Sequence, residues 1–173
     1  MSTRVLLLIE FDDIARIRQV VGEGIRKLAW WRFWGRSGFT VGEAEAGWVM
    51  VELDRGTRSP GTLSEEISSA LSCRTLFLST ESVSGSEEIL FCIKGWNVRW
   101  LWYANGEDHT FADEGDPLEF EEKIMEQRRA EVEAELAAMD EEERAEHQWM
   151  LRETCLYPRG VDFARELGCP LLE

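Results

Sequence analysis

The chain is poor in the residues that carry most protein chemistry. It has two histidines, His109 and His147, and four cysteines, Cys73, Cys92, Cys155 and Cys169, none of them spaced as CxxC. That scarcity leaves no His/Cys set at zinc-ligand spacing. No GxSxG turn presents a nucleophilic serine, and neither histidine has a serine or cysteine near it in sequence that it would activate. Gly22-Glu23-Gly24 lacks the third glycine of a dinucleotide loop, and no glycine-rich turn leads to a Lys-Ser/Thr pair. The calcium-loop spacing is absent too. Glu107, Asp108, His109 and Asp113 come nearest to a metal set, and they read as a solvated acidic loop. The sequence therefore predicts no catalytic residue, no metal and no cofactor, and points away from an enzyme.

Long hydrophobic runs are missing as well. The apolar run from Val5 to Ile9 is shorter than the roughly 7–15 residues of a signal-peptide core, and Glu10 closes it. Nothing approaches the roughly 20 apolar residues that cross a bilayer. The expectation is a cytoplasmic protein with free thiols, Cys92 buried in a strand as a small hydrophobe.

What the chain has in plenty is acid and aromatic surface. Its net charge is −15, from 34 acidic and 19 basic residues. The excess is uneven: residues 1–60 carry nine basic and eight acidic side chains, residues 61–105 three and five, and residues 106–173 seven and twenty-one. Eight tryptophans and eight phenylalanines supply core material, so the chain is not a disordered acidic tail.

Periodicity divides the chain into elements. Arg4–Phe11 reads as a buried strand ending at Asp12-Asp13, where an aspartate caps a helix over Asp13–Leu28 whose apolar stripe is Ile14, Ile17, Val21, Ile25 and Leu28. Phe39 and Val41 mark a short strand, Gly42–Gly47 a turn, and Trp48–Leu53 a second strand. Thr62-Leu63-Ser64-Glu65 fits a capping box for the next helix, with Leu63, Ile67, Ala70 and Leu71 as its apolar stripe. Strands follow at Thr75–Leu78, Ile89–Ile93 and Val98–Tyr103, the last two a hairpin through Lys94-Gly95-Trp96-Asn97. Along the last of them Val98, Trp100 and Trp102 alternate with Arg99, Leu101 and Tyr103, so it is bulky on both faces. The order β-α-β-β-α-β predicts an α+β fold, ferredoxin-like, with an extra hairpin strand.

Past Gly106 the composition changes. Asp116-Pro117 with Glu119 predicts a helix from Pro117 to Met139, and Asp140 with Glu143 a second one to about Thr154. Val161–Leu167 is a short last helix stopped by Gly168 and Pro170. Residues 1–105 are thus expected to form a sheet domain and residues 106–173 an acidic helical extension packed on it.

Part of this pattern resembles a known group. Thr75-Leu76-Phe77-Leu78, then Lys94 through Tyr103 with its Arg99-x-x-x-Tyr103 strand, then Gly115-Asp116-Pro117 with Glu119, resemble a family of uncharacterised small bacterial proteins. The resemblance covers less than a third of the chain. It implies the hairpin and the helix start, and it assigns no activity and no site.

Two surfaces are candidates for binding. Clustered carboxylates at Glu131, Glu135, Glu142 and Glu146 repel nucleic acid and anionic membranes and attract a basic protein partner. Trp30, Trp31 and Trp34, with Phe33, cannot all face one core, and Arg26, Lys27, Arg32 and Arg36 stand beside them. Acidic, motif-free chains of this size are similar in type to bacterial immunity proteins and other inhibitors. The alternative is a small-molecule or peptide sensor with an aromatic pocket between the sheet and the C-terminal helices. Solubility alone also accounts for an acidic block. The sequence is silent on oligomeric state.

Overall fold

The computed structural model describes residues 3–29, 38–54, 60–81, 85–104, 110–144 and 158–170. Its centre is β1 (Thr3–Ile9), an unbroken apolar run because both of its faces are covered. Val5, Leu7 and Ile9 point to one core cluster, Leu6 and Leu8 to another. β3 (Trp48–Leu53) and β4 (Arg74–Glu81) flank β1, both antiparallel to it. β2 (Phe39–Glu45) pairs outside β3. On the other side β5 (Ser86–Ile93), β6 (Trp96–Ala104) and β7 (Thr110–Glu114) extend the sheet as a meander. The seven strands lie in the order β2-β3-β1-β4-β5-β6-β7.

Helix α1 (Ile14–Ala29) and helix α2 (Pro60–Leu71) cover one face. Ile17, Val21 and Ile25 of α1 and Leu63 and Ile67 of α2 meet Leu7, Val49, Val51 and Phe77 there. Asp13 caps α1 as expected, its Oδ1 accepting from the Arg16 N–H at 2.9 Å. α2 begins at Pro60, two residues before the predicted capping box, so Thr62 lies within the first turn and the proline takes the first helical position.

The opposite face is covered from the C-terminal third. Helix α3 (Glu119–Ala138) brings Phe120, and helix α4 (Gly160–Glu166) brings Phe163 and Ala164, against Leu78, Phe91, Leu101 and Tyr103. Phe163 is fully buried and meets Phe120 edge-on, ring centroids 5.1 Å apart. The α3 start also differs from the expected one. Leu118, not Asp116, is the cap residue, and its N–H donates to Oε1 of Glu121 at 2.9 Å, so Glu121 takes the part expected of Glu119. Asp140 does cap the segment after α3, accepting from the Glu142 and Glu143 N–H groups.

Three strand details depart from the sequence reading. β2 continues to Glu45, because a bulge between Val41 and Ala44 absorbs the residues expected in a turn. A second bulge, where Phe91 pairs with Arg99 but Cys92 with Asn97, turns Val98 to the face opposite Trp100. Finally, Thr110–Glu114, expected in an acidic loop, is strand β7, so the sheet runs past residue 105.

Candidate functional site

Among the described residues, one deeply buried ionic cluster ties β6, β7 and α3 together on the C-terminal face. The Arg99 side chain is 4% exposed. Its Nε and Nη2 donate to the two oxygens of Glu121, at 2.9 and 3.0 Å, and its Nη1 reaches Asp113 and the carbonyls of Glu114 and Gly115. All three nitrogens of the guanidinium donate. Burial works against its charge, but the hydrogen bonds and fields of Glu121 and Asp113 more than offset this and raise its pKa. The turn that allows this requires Gly115: its φ is +84°, and a Cβ there would lie 2.1 Å from the Val98 carbonyl oxygen. With Asp113 bound to Arg99 in β7, the acidic-loop set loses one of its members. Glu107, Asp108 and His109 lie outside the described residues. Among those residues no group of three or more His, Cys, Asp or Glu is placed to hold a metal.

A second polar knot anchors α4. Glu87 accepts from the Tyr103 hydroxyl at 2.6 Å and from the Gly160 N–H at 3.0 Å. Burial, and then the neighbouring Glu87 charge, push the Tyr103 pKa up, so it stays a neutral donor. A third pair, Glu10 with Arg74, sits at the edge of the same face, the guanidinium stacked 5.4 Å over the Trp48 ring. All three have the chemistry of fasteners: their charges and donors are spent on one another.

The surface carboxylates are different. Glu131 and Glu135, four residues apart on α3, are both exposed. Glu131 accepts from Gln127 at 2.9 Å and borders a cleft of about 430 Å³ between α3 and α4, where Arg128, Arg159 and Arg165 alternate with acids. Glu142 is exposed too, but beyond a break: Met139 is extended, with φ −79° and ψ 152°. Between Ala130 and Arg144 the sequence places seven acidic side chains and one basic one. That base, Arg144, is turned back onto the helix end, donating to the Leu136 and Met139 carbonyls at 2.8 and 3.0 Å. Glu146, Trp30, Trp31 and Trp34 lie outside the described residues.

The sequence reading missed a groove on the α1/α2 face. There the start of α2 and strands β5, β6 and β7 enclose a depression of about 420 Å³. Thr62 and Glu65 of α2, Glu88 of β5, Asn97 and Trp100 of β6 and Glu114 of β7 line it. Trp100 and Glu114 are cross-strand partners, and the Trp100 indole N–H donates to Glu88 at 3.1 Å. Burial raises the Glu88 pKa, against the opposing effect of that hydrogen bond. Among the described residues the exposed large rings are Trp96 at 78% and Trp102 at 39%, on the same strand as Trp100. The alternation of bulky residues along Val98–Tyr103 was the visible signal; what hid the site was that its carboxylates come from three separate elements.

No family model, no curated protein and no solved structure matches the chain.

Proposed function

We propose that the chain is a non-enzymatic acidic protein-binding module, of the type of an immunity or inhibitor protein, which holds a basic protein partner in the cytoplasm. The observation that carries this reading is the exposed acidic run from Glu131 to Glu143, after which the one basic residue of 130–144, Arg144, is committed to the helix end. Like charges three or four residues apart cost a helix a few tenths of a kcal/mol per pair. A cationic surface offsets that cost and is steered toward it from solution. The same field repels nucleic acid and anionic membranes, so neither is the partner.

The reading takes the first six elements as a ferredoxin-like core, supported by the strand order β2-β3-β1-β4 and by α1 and α2 sharing one face. Residues 106–173 are then the acidic extension, joined to the sheet where β7 pairs with β6. A second reading, a small-molecule or peptide sensor, is favoured by the Trp100 groove, which lies on the α2 face and not beneath the C-terminal helices.

The test is a comparison of two baits in native extract, wild type and the triple charge reversal E131K/E135K/E142K. A stoichiometric basic protein held by the wild type, released by salt and absent from the variant is the expected result. The same proteins on both baits at low salt would remove the acidic run as the binding face.

A further inference from the structure

The Trp100 groove has a composition that selects one kind of ligand. Its depth comes from a close approach: a Cβ on Gly61 would stand 3.2 Å from Leu90, so the start of α2 lies directly on β5. Its volume, about 420 Å³, is within the range of small-molecule sites, roughly 300–1,000 Å³. One wall is the Trp100 indole, and three carboxylates come from α2, β5 and β7. None of the three is paired with a basic group among the described residues, where the ion pairs are those of Arg4, Arg74, Arg99 and Arg165. Glu88 is half-buried and receives one neutral donor, the indole N–H, which leaves its charge poorly compensated.

The ligand must therefore be cationic, and the spacing decides between kinds of cation. The carboxylates are not grouped closely enough to share a metal ion. A flat, multi-donor organic cation meets dispersed acceptors that a point charge cannot, and it stacks on an indole face. We propose that this groove binds an alkylguanidinium group, held by Glu65, Glu88 and Glu114 against Trp100. The group is supplied either by a free small molecule or by an arginine side chain of a protein. The site is separate from the α3 surface and does not depend on the partner proposed for it.

The test uses the full chain, labelled with ¹⁵N, and follows the Trp100 indole N–H signal, assigned with the Trp100→Phe variant. Agmatine represents the free ligand and acetyl-Ala-Arg-Ala-amide the side chain, with N-butylurea as the uncharged counterpart. Agmatine, the peptide or both should move the signal saturably, and the tighter of the two identifies the source. N-butylurea should leave the signal in place. Glu88→Gln should weaken binding about tenfold or more. Glu65→Gln and Glu114→Gln keep the test open should Glu88→Gln fail to fold, and each should also weaken binding. The proposal is overturned if neither cation moves the signal, if N-butylurea moves it equally, or if all three glutamine variants bind as the wild type does.

Discussion

Replacing Glu121 by leucine removes one partner of Arg99, the most buried charge among the described residues, while keeping a side chain of similar bulk. Arg99 is 4% and Glu121 6% exposed at the side chain, so what remains is a desolvated guanidinium facing Asp113, which is 47% exposed. Breaking a buried pair in this way costs about 3–5 kcal/mol. With a urea m-value of about 2 kcal/mol/M, the midpoint should fall by roughly 1.5–2.5 M. Arg99→Met should cost a similar amount, since it leaves Glu121 buried and takes the donor from the Glu114 and Gly115 carbonyls. The double variant removes both charges at once, so it should be no less stable than the worse single variant. Urea unfolding of all four proteins at pH 7 measures the cycle. A Glu121→Leu protein within about 1 kcal/mol of the wild type, or single costs that simply add in the double, would refute the assignment of this pair as the clamp between β6, β7 and α3.

Three further outcomes follow from the packing and the titrating groups. Phe163→Ala should destabilise by about 3–5 kcal/mol, read by thermal or urea unfolding, because the ring is fully buried beneath the sheet; a negligible loss would mean that α4 is not docked. Cys73 and Cys92, with pKa values raised to about 11, and Cys169, raised to about 12, should react with a thiol reagent at neutral pH only after denaturation, without prior reduction. Rapid native labelling at any of the three would contradict their burial. The Glu88 pKa is higher folded than unfolded, so the folded chain binds that proton more tightly and loses stability as pH rises from the ordinary carboxylate value through the raised one. Glu88→Gln lacks that loss, and its stability relative to the wild type should increase from pH 4 to pH 7; a flat difference would show that Glu88 is not desolvated.

Local chemistry made much of the fold legible. The aspartate cap of α1, the two-sided apolar run of β1 and the turn at Lys94-Gly95 each follow from neighbouring residues, and each stands where periodicity and capping put it. What was not legible depends on pairing across the chain. β7 is short and acidic, and it is a strand because Trp102 and Trp100 pair with Ala112 and Glu114 while Arg99 binds Asp113. The α3 start moved because Glu121 faces both Arg99 and the Leu118 N–H, a choice that the Asp116-Pro117 signal cannot reveal. Composition marked the stretch that holds Glu131, Glu135 and Glu142, whose side chains are exposed. The groove was hidden because Glu65, Glu88 and Glu114 become neighbours only when α2 crosses the sheet.

The account of function rests on the acidic run of α3 and the segment that follows. The most direct test is the association rate of the chain with the basic protein proposed as its partner, measured against ionic strength for the wild type and for E131K/E135K/E142K. The wild-type rate should fall steeply with salt, the variant should associate about tenfold or more slowly at low salt, and the two should converge once the charges are screened. Equal rates at low ionic strength would contradict the claim that these carboxylates bring the partner in.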